Sequence, residues 1–200
     1  EDLSEADKTV ALAAEKVALK VYTTVSTIQS SAKSSGLDAA KAFATAIEAV
    51  GEVVKEQSAA GATADLADSS IIDKVVTKTE TVLTTKLQEA GFDAAAVASK
   101  VNANKAVLAT AKAQIKTVND AADAITSFDA TELGSIAKLA VKSGEEAAAA
   151  VLAEVANPGS GAASFTMKTA EAVATAKAEA KAEVQQAKGE EATTTTTAGA

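Results

Sequence analysis

The most regular pattern in the chain runs from Asp93 to Thr126 and reads DAAAVASKVNANKAVLATAKAQIKTVNDAADAIT. Its apolar positions, with one asparagine among them, recur at steps that alternate between four and three residues: Val97, Val101, Asn104, Leu108, Ala111, Ile115, Val118, Ala122 and Ile125. This spacing places them on one face of a helix, and a repeat of seven residues is typical of coiled coils. The stretch therefore predicts a helix about 50 Å long, at about 1.5 Å per residue.

Asn104 is the polar member of this pattern, and two interpretations of it stay open. It is either a partly exposed polar residue or a buried asparagine that sets the register of helix packing. The two interpretations differ in burial, so a structure decides between them.

Similar apolar stripes and capping residues occur on both sides of this stretch. The predicted helices cover about residues 4–34, 38–59, 70–90, 93–126, 129–156 and 164–188. Ser4, Asp38, Asp93 and Asp129 stand where N-cap residues are expected, because their side-chain oxygens accept free backbone N–H groups. In the second helix the predicted core stripe consists of Phe43, Ile47, Val50 and Val54.

These elements predict an all-α fold, an extended bundle of long antiparallel helices with coiled-coil-like packing. Residues 1–188 form one bundle domain, and residues 189–200 form a disordered, threonine-rich C-terminal stalk. Alanine supplies 52 of the 200 residues. Because alanine favours helix and is small, it lets helix axes approach closely, so we expect long, narrow, closely packed rods.

The composition excludes most chemistry. The chain has no Cys, His, Trp or Arg, so it has no thiolate nucleophile, no imidazole base and no thiolate or imidazole metal ligand. The net charge of −8 and the absence of arginine disfavour nucleic acid as a partner. Adjacent carboxylates such as Asp120 and Asp123 lack an aromatic platform for a sugar. We expect no enzyme, no cofactor and no bound metal.

Residues 61–70, GATADLADSS, form the clearest predicted loop. Asp65, Asp68 and the following Asp73 offer oxygen ligands, but they lack the alternating spacing and central glycine of an EF-hand calcium loop. A solvated acidic loop is the better interpretation. We expect Thr63, Asp65 and Asp68 to form an exposed contact surface.

Five consecutive threonines precede the C-terminal Ala-Gly-Ala: Thr193, Thr194, Thr195, Thr196 and Thr197. One interpretation is a flexible tail without a specific role. The other is a hydroxyl-rich stalk that is O-glycosylated and leads to the small residues that suit attachment of a lipid anchor.

The 17 Glu and 52 Ala residues, the helix breaks near 34–38, 61–70, 91–93, 128–131 and 157–161, and the acidic helix that leads into TTTTTAGA resemble the glutamic acid/alanine-rich surface proteins of African trypanosomes. The likeness covers the whole chain. It implies a coat protein of the insect-stage parasite, held at the outer face of the plasma membrane by a glycosylphosphatidylinositol (GPI) anchor. It also implies an extended bundle similar to the core of variant surface glycoproteins.

The expected function is therefore a packed protective layer. Its expected partners are the membrane, through a lipid anchor that follows residue 200, neighbouring coat proteins and a host-tissue ligand, with no nucleic acid. Two alternatives stay open: a self-assembling structural or envelope protein that uses the 93–126 seam between chains, and an amphipathic lipid-binding helical protein.

Overall fold

The computed structural model describes residues 4–197, and it describes side chains up to residue 187. This part of the chain folds into helices and contains no strand, which confirms the predicted all-α class. The helices are α1 (Glu5–Ser34), α2 (Ala39–Ala59), α3 (Ser69–Glu89), α4 (Ala94–Asp123), α5 (Ala130–Ala156) and α6 (Ala170–Thr197), with a short 3-10 helix at Gly161–Ser164 before α6.

The first five helices begin where the sequence places a capping side chain. Asp38 Oδ1 accepts the N–H of Lys41 at 2.8 Å, and Asp93 Oδ1 accepts the N–H of Ala96 at 2.8 Å. The other three caps are Ser4, Asp68 and Asp129. These bonds satisfy N–H groups that have no acceptor within the helix, so they fix where each helix starts.

Successive helices from α1 to α5 run antiparallel. Between α2 and α3 the ion pairs show the direction: Glu48 reaches Lys86 at 3.4 Å, whereas Glu56 reaches Lys78 at 2.6 Å. Helix α4 returns along α3 and also lies against α1, and α5 packs against α1 and α4. Helix α6 packs on α5 and on the C-terminal part of α4.

The predicted α4 stripe faces the core, and so does the stripe that the sequence predicts for the third helix: Ile72, Val76, Thr79, Leu83 and Leu87. Leu83 and Leu87 of α3 and Leu108 and Ile115 of α4 are fully buried. Asn104 is 1% exposed, so the buried interpretation of this residue is confirmed. These helices carry their large aliphatic side chains on one face only, which is why their pattern alone identified the buried side.

The stripe predicted for α2 is wrong at three of its four positions. Phe43, Ile47 and Val54 are 49%, 45% and 44% exposed, and only Val50 of the predicted set is buried. The face that α2 turns to the core consists mainly of small residues: Ala42, Thr45, Ala46, Ala49, Val50 and Val53. Small side chains allow close contact with the neighbouring helices, so the large apolar residues of α2 lie outside.

The start of the last helix also differs from the prediction. Helix α6 begins at Ala170, not near residue 164, because carboxylates of α5 hold the preceding segment in another conformation. Glu154 accepts the N–H groups of Gly159 and Gly161 at 2.8 and 2.9 Å, and Glu146 binds the N–H and hydroxyl of Thr166.

The structure also differs from the predicted disordered stalk, because α6 continues to Thr197. Residues 170–192 are rich in Ala, Glu and Lys, which have high helix propensity, and a helix already formed extends at little cost. Residues 198–200 of the predicted stalk lie outside the described part of the chain.

Candidate functional site

A groove opens where the segment between α2 and α3 crosses α1. It has a volume of about 720 Å³ and a mainly apolar wall. The residues that line it are Val17, Lys20, Val21, Val54, Ser58, Ala62, Thr63, Ala64, Asp65 and Leu66. Two of the three residues of the predicted contact surface, Thr63 and Asp65, therefore lie at this groove.

Lys20 is the charged centre of the site. Its side chain is 11% exposed, and its ammonium lies 2.7 Å from Asp65 Oδ1 and 3.0 Å from Asp123 Oδ1. Asp65 belongs to the loop and Asp123 is the last residue of α4, so one cation joins three parts of the chain. The two carboxylates remain partly exposed, and Lys16 adds a second cation beside them by donating to the backbone carbonyl of Asp123 at 2.8 Å.

This arrangement shifts the pKa values of both partners in the direction that favours the ion pair. Burial lowers the pKa of Lys20, but the hydrogen bonds from its ammonium to Asp65 and Asp123 outweigh that effect, and the pKa is raised above its usual value. The hydrogen bond from Lys20, followed by that from the Ala67 N–H, lowers the pKa of the Asp65 carboxyl. Lys20 and Asp65 therefore stay charged at neutral pH.

The loop is tied to the bundle along its length. Leu66 is 4% exposed, and its carbonyl accepts the side-chain N–H of Asn119 at 2.6 Å. Asp68 is the N-cap of α3, and its Oδ1 accepts the N–H of Ser70 at 2.7 Å. Thr63 is exposed. Asp65 and Asp68 are exposed as well, and both also accept hydrogen bonds within the chain.

A line of buried polar residues continues from Lys20 into the core, and the sequence patterns did not reveal it. Thr23, Thr24, Thr27 and Ser31 of α1 and its C-cap residue Ser35 are all fully buried. Each hydroxyl donates to a backbone carbonyl of α1. Polar residues are usually exposed, so only the tertiary structure shows that these face inward.

Three amides of α4 meet this polar line. Asn104 donates to Ser35 Oγ at 3.1 Å, Gln114 donates to Ser143 Oγ at 3.0 Å, and Asn119 donates to Leu66. The side-chain carbonyl oxygen of each amide is buried and accepts no hydrogen bond within the described residues. Each amide therefore joins α4 to a neighbouring segment and carries one unpaired buried acceptor, which costs free energy.

The polar side chains of the site are those of Lys20, Asp65, Asp123, Ser58 and Thr63, and the three charged groups are paired with one another. Among the side chains that the structure describes, up to residue 187, no group of three or more acidic residues is placed to hold a metal ion. In the described part of the chain, no helix has both the length and the apolar composition needed to cross a membrane. The threonines of the predicted glycosylated run belong to the last part of α6, where side chains are not described.

No family model, curated protein or solved structure matches the chain. The likeness to the trypanosome surface proteins therefore depends on composition and on the order of the helices.

Proposed function

We propose that the chain is a non-enzymatic surface coat protein of an insect-stage parasite, held at the outer face of the plasma membrane by a GPI anchor. Copies pack side by side into a layer that shields what lies beneath and meets a host ligand at its outer end. In this function the bundle acts as a spacer, and neither a cofactor nor a nucleic acid is required.

The observation that carries the proposal is the distance over which α1 and α4 stay paired. Ser35 contacts Asn104 at one end of the pairing, and Lys20 contacts Asp123 at the other. These contacts are about 28 Å apart along α4, and each helix has 30 residues, which corresponds to about 45 Å. Side-by-side helices of this length favour an elongated bundle, which is the shape that a spacer needs.

Two groups of ion pairs bear on which end of the bundle would face outward. Lys20 holds the loop next to the end of α4, and Glu132 in the first turn of α5 holds Lys177 and Lys181 of α6 at 2.7 and 2.5 Å. Helix α6 thus leaves the bundle from the half that carries residues 61–68. With a C-terminal anchor, the turns at 35–38 and 90–93 would face the host, and Thr63, Asp65 and Asp68 would lie nearer the membrane.

Small-angle scattering tests the shape. A compact globule of 200 residues has a radius of gyration of roughly 16 Å, and we expect a value above about 20 Å for this chain. A value near that of the globule, with no dimension close to the helix length, would remove the basis of the spacer function.

The layer itself is tested with the full chain tethered through a C-terminal histidine tag to nickel-chelating vesicles. The vesicles also carry a short lipid-linked peptide that a protease cleaves. We expect cleavage to slow as the density of the chain increases. A compact domain of similar mass, tethered at the same density, is the control, and equal cleavage rates for the two proteins would contradict the proposal.

One observation favours the second candidate, an amphipathic lipid-binding protein. The groove beside Lys20 has an apolar wall and is large enough for a lipid chain segment. Flotation of the untagged protein with neutral and anionic vesicles separates the candidates, because a coat protein tethered only by its anchor stays at the bottom of the gradient. Strong flotation would favour the lipid-binding function.

A further inference from the structure

The groove beside Lys20 has the size and the lining of a site for one small molecule. Its large apolar side chains are those of Val17, Val21, Val54 and Leu66. Val17 and Val54 are 57% and 44% exposed, whereas Leu66 is buried beneath the loop. The volume of about 720 Å³ lies within the range of about 300–1,000 Å³ that is typical of small-molecule sites in proteins.

The same groove carries hydrogen-bonding groups that have no partner in the described part of the chain. The hydroxyls of Ser58 and Thr63 line it, and neither forms a hydrogen bond with a described residue. The backbone N–H groups of residues 63–66 likewise have no acceptor there. A hydroxyl donates and accepts, and an N–H group donates, so this part of the groove can bind a hydroxyl or a carbonyl group.

The charged groups of the groove, by contrast, are satisfied within the chain. The ammonium of Lys20 lies 2.7 and 3.0 Å from carboxylate oxygens of Asp65 and Asp123. Asp65 Oδ1 also accepts the N–H of Ala67 at 3.0 Å, and Lys16 donates to the backbone carbonyl of Asp123 at 2.8 Å. An anionic ligand would meet a carboxylate as well as an ammonium, and so would a cationic one. Neither therefore gains a net attraction, and an uncharged ligand fits best.

We infer that the groove binds one uncharged amphiphile, an aliphatic chain that carries a hydroxyl or carbonyl head group. The chain packs on the four apolar side chains, and the head group forms hydrogen bonds with the two hydroxyls and with the N–H groups of residues 63–66. This binding goes beyond the proposed coat function and does not depend on it, because neither the spacer shape nor the anchor requires the groove.

The charged cluster favours a single dissolved molecule over a bilayer surface as the source of this ligand. The side chains of Asp65 and Asp123 are 54% and 40% exposed. Insertion of this face into a bilayer would remove both carboxylates from water, which is costly. A single aliphatic chain can lie on the apolar wall and leave the carboxylates hydrated.

Three eight-carbon probes test the inference, because octan-1-ol, octanoate and octylammonium share one chain and differ in the charge of the head group. The full-length, untagged protein, labelled with ¹⁵N and with ¹³C in its Val and Leu methyl groups, is titrated with each probe below its aggregation concentration. Methyl signals of Val17, Val54 and Leu66 report on the groove. Val141 and Leu152 of α5, 46% and 59% exposed and outside the groove, are controls in the same spectra.

We expect octan-1-ol to bind with a dissociation constant on the order of 1 mM, at least fivefold below the values for the two charged probes. Its signal changes should be confined to the groove methyl groups and to the N–H groups of residues 63–66. Val54→Gln, which makes the wall polar, and Thr63→Val, which removes a hydroxyl, should each weaken binding at least threefold. Val141→Gln is the matched control and should have no effect. All three positions are exposed, so melting temperatures close to that of the parent will show that folding is intact.

Four results would overturn the inference. They are no saturable binding of octan-1-ol, equal or tighter binding of a charged probe, equal signal changes at Val141 and Leu152, and an affinity that Val54→Gln leaves unchanged. Flotation with vesicles but without saturable binding of octan-1-ol would indicate a bilayer surface and would also reject the single-molecule site. Scattering and the protease-shielding assay report separately on the coat function, so the groove can fail its test while the coat is retained.

Discussion

A β-carbon added to Gly144 would stand 3.1 Å from the carbonyl oxygen of Ser26. Helices α5 and α1 thus meet nearly backbone to backbone at this point. One turn before Gly144 on α5, the carbonyl of Ala140 accepts the Ser26 hydroxyl at 2.9 Å. This hydrogen bond holds the two helices together beside the close contact. This close approach of α5 to α1 therefore depends on the absence of a side chain at Gly144.

Replacing Gly144 by alanine tests how rigid this contact is. Alanine improves the helix propensity by about 1 kcal/mol, but its methyl group would stand 2.8 Å from the Ser30 hydroxyl and 3.1 Å from the Ser26 carbonyl oxygen. The hydroxyl must therefore turn away, and the backbone of Ser26 must move by a few tenths of an ångström. Overpacking of this kind costs about 1–3 kcal/mol, so we expect Gly144→Ala to lower the free energy of unfolding by about 1 kcal/mol. Urea denaturation measures this change.

Gly51→Ala is the matched control. A β-carbon there meets nothing within 4 Å, so only the gain in helix propensity remains. We expect Gly51→Ala to raise the free energy of unfolding by about 0.5–1 kcal/mol. Equal effects of the two substitutions would show that α1 and α5 can separate without cost, against the close contact described above.

The sequence predicts helices well and the buried face of each helix less well. In α3 and α4 the large aliphatic residues and the buried face coincide, as Leu83 and Ile115 show. In α2 they do not, because alanines such as Ala46 fill the core while Ile47 faces outward. A hydrophobic pattern weights residues by size, so it selects the wrong face when the packing favours small ones.

The site was less predictable than the fold. Asp65 and Asp68 stood out as loop acids, but their partners decide their roles, and Lys20 lies 45 residues away from Asp65 in sequence. The predicted start of the last helix was wrong for the same reason, since Glu146 binds Thr166 across 20 residues of sequence. Local patterns contain no information about such pairs, so only a tertiary structure reveals them.

The Lys20 cluster predicts a specific response to acid. The hydrogen bond from Lys20 is the main reason why the pKa of Asp65 is lower in the folded chain than in the unfolded one. The Asp65 carboxylate therefore contributes to stability at pH values above its pKa in the unfolded chain. That contribution is lost as the pH falls from about 5 through the folded pKa. We expect Asp65→Asn to be less stable than the parent at pH 7, with the difference shrinking below pH 4, as urea midpoints at each pH will show.

The same comparison in a Lys20→Met background is the control. Without the ammonium, the carboxylate of Asp65 loses its main partner, and Asp65→Asn should then change the midpoint at pH 7 by much less. A difference of the same size in both backgrounds would mean that the Ala67 N–H, and not Lys20, governs the acid response.

Glu132 is expected to hold α6 on the bundle. Its carboxylate pairs with Lys177 and Lys181, and these hydrogen bonds lower its pKa. We expect Glu132→Gln to increase amide hydrogen exchange in α6 between residues 173 and 184 by about three- to tenfold, because surface ion pairs contribute up to about 1 kcal/mol each. Exchange in α3 should not change.

Glu179→Gln removes the same charge from α6 itself and leaves both pairs of Glu132 in place, so it serves as the control. Exchange in α6 that rises equally in the two variants would attribute the effect to net charge. Exchange that rises in neither would show that the apolar contacts of Val173 and Ala176 hold the helix without Glu132.

Substitutions of Gln114 test whether the buried amides of α4 stabilise the bundle or only specify the register of its helices. Its amide donates to Ser143, but its carbonyl oxygen is buried without a partner, and Ser143 keeps a second hydrogen bond to Thr27 at 2.9 Å. Methionine has a similar volume and removes the unpaired acceptor, so we expect Gln114→Met to change the free energy of unfolding by less than about 1 kcal/mol. Gln114→Ala instead leaves a cavity, and we expect it to lower the free energy of unfolding by about 2–4 kcal/mol. Both values come from urea denaturation, and a Gln114→Met variant as unstable as Gln114→Ala would show that the single hydrogen bond to Ser143 outweighs the buried acceptor.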